Sequence, residues 1–261
     1  MPIYALLGAT GSTGSAILRC LLSKPPEHLT LNVFVRSRSK LEKAFPDLTS
    51  TTAITINIIE GTTDDVPAMR ECLKDVEVVM ACIGSNSSTP KMSLIYDTAV
   101  AIIDALEAHR NTQVSAYKPP TVIQLRSASL NTVFKAAHPW VTRNVAGFCF
   151  YYAYDDLIRA CKLLASSAAE SSRLLDYIFV DPPSIHDADG TVPTGHKLIL
   201  EGKQEQVLSY ADLGAAFCEV AERRDEFSGQ GVGVTATGAV NETWGVLVGY
   251  MLTGAKSRIW G

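Results

Sequence analysis

Seven residues constrain this chain more than any others. Gly8-Ala9-Thr10-Gly11-Ser12-Thr13-Gly14 follow a short apolar run, Ile3–Leu7, and open a stretch with helical spacing. Glycine at the first position permits a tight turn out of a strand. At the second it lets a ligand approach the backbone, and at the third it lets helix and strand pack closely. The amides of Thr10–Thr13 then gather at a helix N-terminus, where the dipole favours an anion. Alone, such a loop can be an ordinary strand–helix turn. At the head of a strand–helix–strand unit it is expected to bind the pyrophosphate of a dinucleotide.

The unit is there. β-rich runs recur at Ile3–Leu7, Leu31–Val35, Ile54–Ile59, Val76–Ile83 and Thr121–Leu125, with helical spacing at Ser15–Leu22, Ser39–Phe45, Val66–Leu73 and Met92–Ala108 between them. Alternation of this kind implies right-handed crossovers and a parallel sheet. A long helix over Phe150–Ser166 and a sixth strand at Asp176–Val180, stopped by Pro182 and Pro183, continue the pattern. A short strand at Lys197–Leu200, a helix at Tyr210–Arg223, a strand at Gly231–Thr235 and a helix at Glu242–Leu252 complete it. The expected fold is a Rossmann-type doubly wound α/β sheet of order 3-2-1-4-5-6, one domain over residues 1–261 with small C-terminal elaborations. Asn111–Pro120 reads as a polar loop inside it, not as a boundary.

Composition supports a buried sheet and excludes other classes. Hydrophobic residues make up 47% and charged residues 19% of the 261, which suits strands covered on both faces. A net charge of -4 without a basic run argues against nucleic acid as a partner. No apolar run reaches the ~18 residues of a membrane span, and no signal segment precedes the first strand. The six cysteines are scattered, with no CxxC pair and no histidine at ligand spacing, so they read as packing residues in a reducing, cytoplasmic protein that holds no metal. The expected partner is a small-molecule substrate; oligomeric state is left open.

The end of the second strand bears on which dinucleotide is bound. An acidic residue there would engage the ribose hydroxyls and repel a 2′-phosphate. The sequence instead reads Val35-Arg36-Ser37-Arg38-Ser39-Lys40. Arg36 can stack on adenine and pair with the phosphate, and Arg38 can add contacts, so NADP(H) is expected over NAD(H). A solvated basic turn that merely starts a helix is the plainer alternative. Cys82 and Gly84, small residues ending the fourth strand, leave room for the cofactor ribose; Cys82 is expected to pack and not to act as a nucleophile. Thr62, after Gly61, stands where related chains carry an aspartate for adenine.

Reductases with this loop commonly pair a tyrosine with a lysine four residues on, to move a proton to the carbonyl that receives hydride. No YxxxK occurs here. Counting back from Cys161-Lys162-Leu163-Leu164 places Ala153 and Leu157 in those slots. The GxxGxxG spacing resembles the extended and atypical short-chain dehydrogenase/reductases. Asp155-Asp156-Leu157-Ile158-Arg159 with Lys162-Leu163-Leu164, Asp176–Ile185 and Val207–Gly214 resemble the biliverdin-IXβ/flavin reductases, in the NmrA-like NAD(P)H-binding group. The resemblance spans nearly the whole chain. It implies the fold and an NAD(P) site but not the substrate, since those reductases carry histidine where Leu157 stands. It also aligns their serine after the fifth strand with Ser127.

Ser127 is therefore a candidate to meet the nicotinamide amide or the substrate, beside the plainer reading of a turn-forming serine. Pocket elements are expected within residues 130–155 and 182–210. Tyr151, Tyr152 and Tyr154, near Phe148 and Phe150, form either core or a flat wall for a conjugated ligand, with Tyr151 or Tyr152 as a proton donor. His138 is a candidate acid/base on a loop, or an idle exposed histidine. His186 and His196 bracket a loop that can serve as a lid. Asp155 and Asp156 read as charges at the start of their own helix. The expected activity is NADPH-dependent reduction of a small conjugated or aromatic molecule. A non-redox isomerase, cyclase or dehydratase, and an NADP(H)-sensing regulator, are the alternatives.

Overall fold

A computed structural model describes residues 1–48, 54–85, 87–113, 116–137, 140–169 and 173–260. Its strands are β1 (Ile3–Leu7), β2 (Thr30–Val35), β3 (Thr55–Glu60), β4 (Val78–Ala81), β5 (Thr121–Leu125), β6 (Asp176–Asp181), β7 (Ser184–His186), β8 (His196–Ile199), β9 (Val207–Ser209) and β10 (Gly231–Ala236). The helices are α1 (Ser12–Ser23), α2 (Arg38–Ala44), α3 (Val66–Cys72), α4 (Leu94–Thr112), α5 (Thr132–Ala137), α6 (Trp140–Cys149), α7 (Tyr151–Ala169), α8 (Tyr210–Glu222), α9 (Arg224–Phe227) and α10 (Trp244–Trp260).

Eight strands form one sheet in the order β3-β2-β1-β4-β5-β6-β10-β8. The first six follow the expected order, and every pairing is parallel except that of β8 with β10. β1 shows why the sheet needs cover on both sides. Leu6 faces a core with Ile17 and Leu18 of α1 and Leu213 and Phe217 of α8. Ala5 and Leu7 face the opposite core, with Met69 of α3, Ile102 of α4 and Leu164 of α7. Near-continuous apolar strands are the result. One buried polar link crosses the second layer: Asn32 donates to Cys72 O at 2.8 Å and accepts from Asn57 Nδ2 at 2.9 Å.

Several boundaries differ from expectation. α4 runs to Thr112, so the loop expected from Asn111 begins later. The expected stretch between the fifth strand and the long helix holds α5 and α6, and the long helix starts at Tyr151. α10 continues eight residues beyond Leu252, to Trp260. A small parallel pair, β7 with β9, lies outside the main sheet and carries the chain away from the Pro182-Pro183 break.

The acids Asp155 and Asp156 do not begin their helix. Asp156, fully buried on α7, accepts from the amides of Ile95 and Tyr96 at 2.9 and 3.0 Å. It thus caps the N-terminus of α4, whose own cap residue Ser93 accepts from none of its first-turn amides and instead donates to the Asp97 carboxylate at 2.6 Å. The Asp156 carboxylate therefore serves a helix N-terminus, but that of α4 and not of its own helix. Asp155 is exposed and pairs with Arg159 at 3.3 Å.

Candidate functional site

The carboxyl end of β1 passes into α1 through the seven-residue loop. Gly8 takes φ +96, and a Cβ there would meet Cys82 O at 2.9 Å. A Cβ on Gly14 would fall well inside contact of Gly8 O, so the helix can lie this close to the strand only through glycine. Gly11 is looser, with 3.4 Å to Gly8 O, and its amide closes the turn on that oxygen at 2.9 Å. Ser15 Oγ ties back to Ala9 O at 2.9 Å. Gly11 is the N-cap of α1 and supplies no side-chain cap. The first-turn amides of Ser12, Thr13 and Gly14 are thereby left for an acceptor from outside the helix, as an anion site requires. Thr10 flanks that turn, and Thr13 is buried beneath it.

β2, beside β1, delivers the basic turn to the same edge of the sheet. Arg36 is exposed at its end. Ser37 caps α2 by accepting from Lys40 N at 3.2 Å. Arg38 pairs with Glu42 at 3.2 Å, both groups about half exposed. Such a pair is weak in water and open to exchange. On the other side of β1, β4 leads at Ala81 into Cys82, which lies beneath the Gly8 turn. Burial raises the Cys82 thiol far above its usual range, which keeps it neutral and unsuited to nucleophilic work. Gly84 borders open space, with no atom near the position of a Cβ.

β5 and β6 end in a buried ion pair that joins their exits. Arg126 Nε and Nη2 donate to Asp181 Oδ1 and Oδ2 at 2.6 and 2.5 Å, Asn131 Nδ2 adds 2.7 Å, and the guanidinium lies 4.6 Å from the Phe179 ring centroid. Burial opposes the Arg126 charge, yet the Asp181 carboxylate outweighs it and the arginine's pKa is raised. The exits are also joined by Ala128 N to Pro182 O at 3.0 Å. Ser127, between Arg126 and Ala128, is thus held at the edge of the sheet. Its hydroxyl accepts from Ser129 N at 3.3 Å, the turn-forming role weighed above.

Tyr151, 43% exposed, begins α7 against Tyr152, ring to ring at 5.3 Å and nearly perpendicular. The guanidinium of Arg258 lies 3.4 Å over the Tyr151 ring. Ala153 follows on the same helix, and Leu157 is buried, so neither relay slot offers a proton. His138 lies outside the described residues. His186 is buried: Nδ1 accepts from Thr243 N and Nε2 meets Ser184 Oγ, each at 2.9 Å. The amide fixes Nδ1 as acceptor, so the ring proton sits on Nε2 and the ring is neutral. His196 pairs with Glu219 at 2.9 Å. The loop between these histidines is pinned at its far end, where Thr194 N, Thr194 Oγ1 and Gly195 N all donate to Asp212. That anchoring fixes one end of the loop, at Thr194–Gly195.

Two site-edge residues were not singled out from the sequence. Ser88 Oγ accepts from Tyr152 N and Ala153 N at 3.2 and 3.4 Å and so caps α7 from the loop after β4. Tyr210 begins α8; burial raises its phenol above the ordinary pKa, and the neighbouring Ser12 hydroxyl of the glycine loop opposes that rise. Both act across long stretches of chain, and local sequence carries no signal for that.

A six-strand parallel order, a glycine turn at the β1–α1 junction and an uncapped helix beside a basic turn define a Rossmann-type nucleotide-binding protein. The chain belongs to the NAD(P)H-binding family, whose model matches residues 8–224. It is 51% identical to averufin oxidase A of Dothistroma septosporum over 99% of this chain and 92% of that one. It is 48% identical to averufin oxidase stcO of Emericella nidulans, over 99% and 90%. These relatives place it among oxidoreductase enzymes. In fold it is similar to a wide-type short-chain dehydrogenase/reductase of Veillonella parvula in complex with NADP, with a TM-score of 0.64 at 18% identity, over 91% of this chain and 95% of that one. Gre2 of Candida albicans, in complex with NADPH, gives 0.61 at 12%, over 91% and 79%. Among the described residues no helix is long and apolar enough to cross a membrane.

Proposed function

We propose that the protein transfers hydride between NADP(H) and a small conjugated aromatic substrate, averufin or a close analogue. One observation carries the cofactor half: α1 begins without a side-chain cap and is held against β1 by Gly8 and Gly14. The residues present fit a dinucleotide. The amides of Ser12, Thr13 and Gly14 would receive the pyrophosphate, with Thr10 and Gly11 beside it. The exposed, acid-free turn at Arg36–Lys40 supports the 2′-phosphate form, because Arg36 is open to solvent and Arg38 has only an exposed partner to exchange. Cys82, Gly84 and Ser127 line the exits of β4 and β5, where the ribose and nicotinamide of such a cofactor would lie.

When bound, the nicotinamide supplies the hydride chemistry. The chain's own residues bind it, orient it and exclude water. The substrate half is supported by the averufin oxidases at 51% and 48% identity and by the aromatic group at Tyr151 and Tyr152. Ala153 and Leu157 hold no titratable proton, so the reaction suits a conjugated substrate whose charge is spread and whose proton is exchanged with water. The same two residues support a second reading, in which the cofactor is kept but an isomerisation, cyclisation or dehydration shows no net redox change. Turnover of averufin with NADP+ and NADPH, followed by nicotinamide absorbance with product analysis, separates them. A change in the nicotinamide that matches product formed supports hydride transfer. Product without that change supports the second reading, and no product from either form overturns the substrate assignment.

A further inference from the structure

The C-terminal helix α10 has two seams at helix-packing spacing and a neighbour for only one of them. Leu247, Met251, Gly254 and Arg258, spaced four, three and four residues apart, are its half-buried and buried side. α10 packs along α6 there. A Cβ on Gly254 would strike Cys149 O at the end of α6, and the Arg258 guanidinium lies 3.4 Å over the Tyr151 ring. One residue further on, Val248, Leu252, Ala255 and Ile259 repeat the four-three-four spacing, with Trp244 a turn before them. That is the spacing by which one helix packs its knobs into the holes of another. Nothing among the described residues covers this second seam. Trp244, Val248, Leu252 and Ile259 are 44–67% exposed, and Gly245 and Gly249 beside them border open space.

The surface left open is large and nearly free of charge. With Val246, Tyr250 and Trp260 included, the exposed apolar side chains of α10 offer on the order of 600–800 Å². The largest patch of a typical monomer is about 300–600 Å², whereas each partner in a stable interface gives about 800 Å². Between Trp244 and Trp260 the one exposed charge is Lys256, and no acid occurs. A charge-poor centre of this kind marks lasting interfaces between proteins. A helix lying on a membrane needs a strongly polar, basic face beside its apolar one, and here the remaining side is taken by α6. We infer that two copies of this chain associate through α10, as an antiparallel helix pair crossing at Leu252. Two-fold symmetry requires the same surface from each copy. With the axis at Leu252, Trp244 meets the partner's Trp260, and Gly249 meets the partner's Ala255, so the backbones approach closely. A parallel pair would set the two Lys256 ammonium groups side by side, which like charge disfavours. The antiparallel pair lays the Lys256 stem over the partner's Val248 and leaves its head in water.

Sedimentation of the full chain at concentrations up to about 50 μM tests this, since a dimer of moderate affinity is then populated. The wild type is expected at twice the 28.1 kDa of one chain. Val248→Glu with Leu252→Glu, both on the open seam, should weaken association by about 100-fold or more and leave a monomer with an unchanged far-UV spectrum. Val66→Glu, exposed but on α3, should leave the dimer intact. Leu252→Cys places one thiol of each copy at the axis, so diamide should join them into a covalent dimer that the wild type does not form. A monomeric wild type overturns the pairing, and its flotation with phosphatidylserine vesicles would give the seam to a membrane instead. A dimer that the double glutamate variant leaves intact also overturns it. A dimer that the double variant breaks, but that does not cross-link through position 252, overturns the antiparallel crossing.

Discussion

Gly14 lies so close to Gly8 that a methyl group on Gly14 would overlap the Gly8 carbonyl oxygen. Gly11→Ala, in contrast, meets that oxygen at 3.4 Å. The two alanine variants should therefore separate folding from ligand approach. Gly14→Ala must push α1 from β1 and is expected to lower stability by roughly 1–3 kcal/mol, with a lowered melting temperature as the readout. Gly11→Ala should melt near wild type while NADPH affinity falls by about ten-fold or more, because the new methyl stands where the phosphates approach. Equal losses of stability in both would count against the assigned roles.

Asp156 and Asp155 are adjacent yet should behave very differently. Asp156→Ala leaves the Ile95 and Tyr96 amides of α4 buried without an acceptor and should cost about 2–3 kcal/mol in urea denaturation. Asp155→Ala breaks only an exposed pair with Arg159 and should change stability by less than about 0.5 kcal/mol. A large effect at Asp155 would show that the cap has been assigned to the wrong carboxylate.

The ion pair between the exits of β5 and β6 is fully desolvated on its Asp181 side. Arg126→Met would strand that carboxylate and should cost roughly 3–5 kcal/mol. Arg126→Met with Asp181→Leu, which removes both charges, should recover part of the loss. No recovery in the double variant would mean that the pair's surroundings, and not the stranded charge, set the cost.

His186 links pH to the docking of the chain that begins α10. Burial lowers its pKa below the ordinary histidine value, against a smaller opposing effect of Glu242. The neutral ring belongs to the folded form, so the unfolded chain binds the proton more readily. Stability from this group is full above about pH 6.5 and is lost as pH falls through the lower folded-state value. Acidification from neutral pH should loosen the Thr243–Trp244 contact, seen as a change in tryptophan fluorescence that His186→Gln flattens. An unchanged pH profile in that variant would exclude His186 as the source.

The first half of the fold was legible because each element declares itself locally. Alternation of apolar strands with helical spacing, together with the Gly8–Gly14 turn, sufficed for the order of six strands. α5 and α6 were not, because Thr132–Cys149 mixes turn formers and aromatics without a clean period. The site divided in the same way. Gly8, Gly14 and the basic turn at Arg36 can be read in sequence because backbone geometry and charge are written in neighbouring residues. Ser88, Asp156 and Tyr210 act on residues tens to hundreds of positions away, and only the folded chain brings those partners together. The anchoring of Thr194 and Gly195 by Asp212, on another element, was not legible for the same reason.

The most direct test of the central claim is an equilibrium titration of the wild-type protein with NADPH and NADH, repeated with Arg36→Glu. NADPH is expected to bind at least about ten-fold more tightly than NADH, a difference of about 1.4 kcal/mol, and the variant to reverse or abolish the preference. Equal affinity for the two, or a preference untouched by Arg36→Glu, would contradict it.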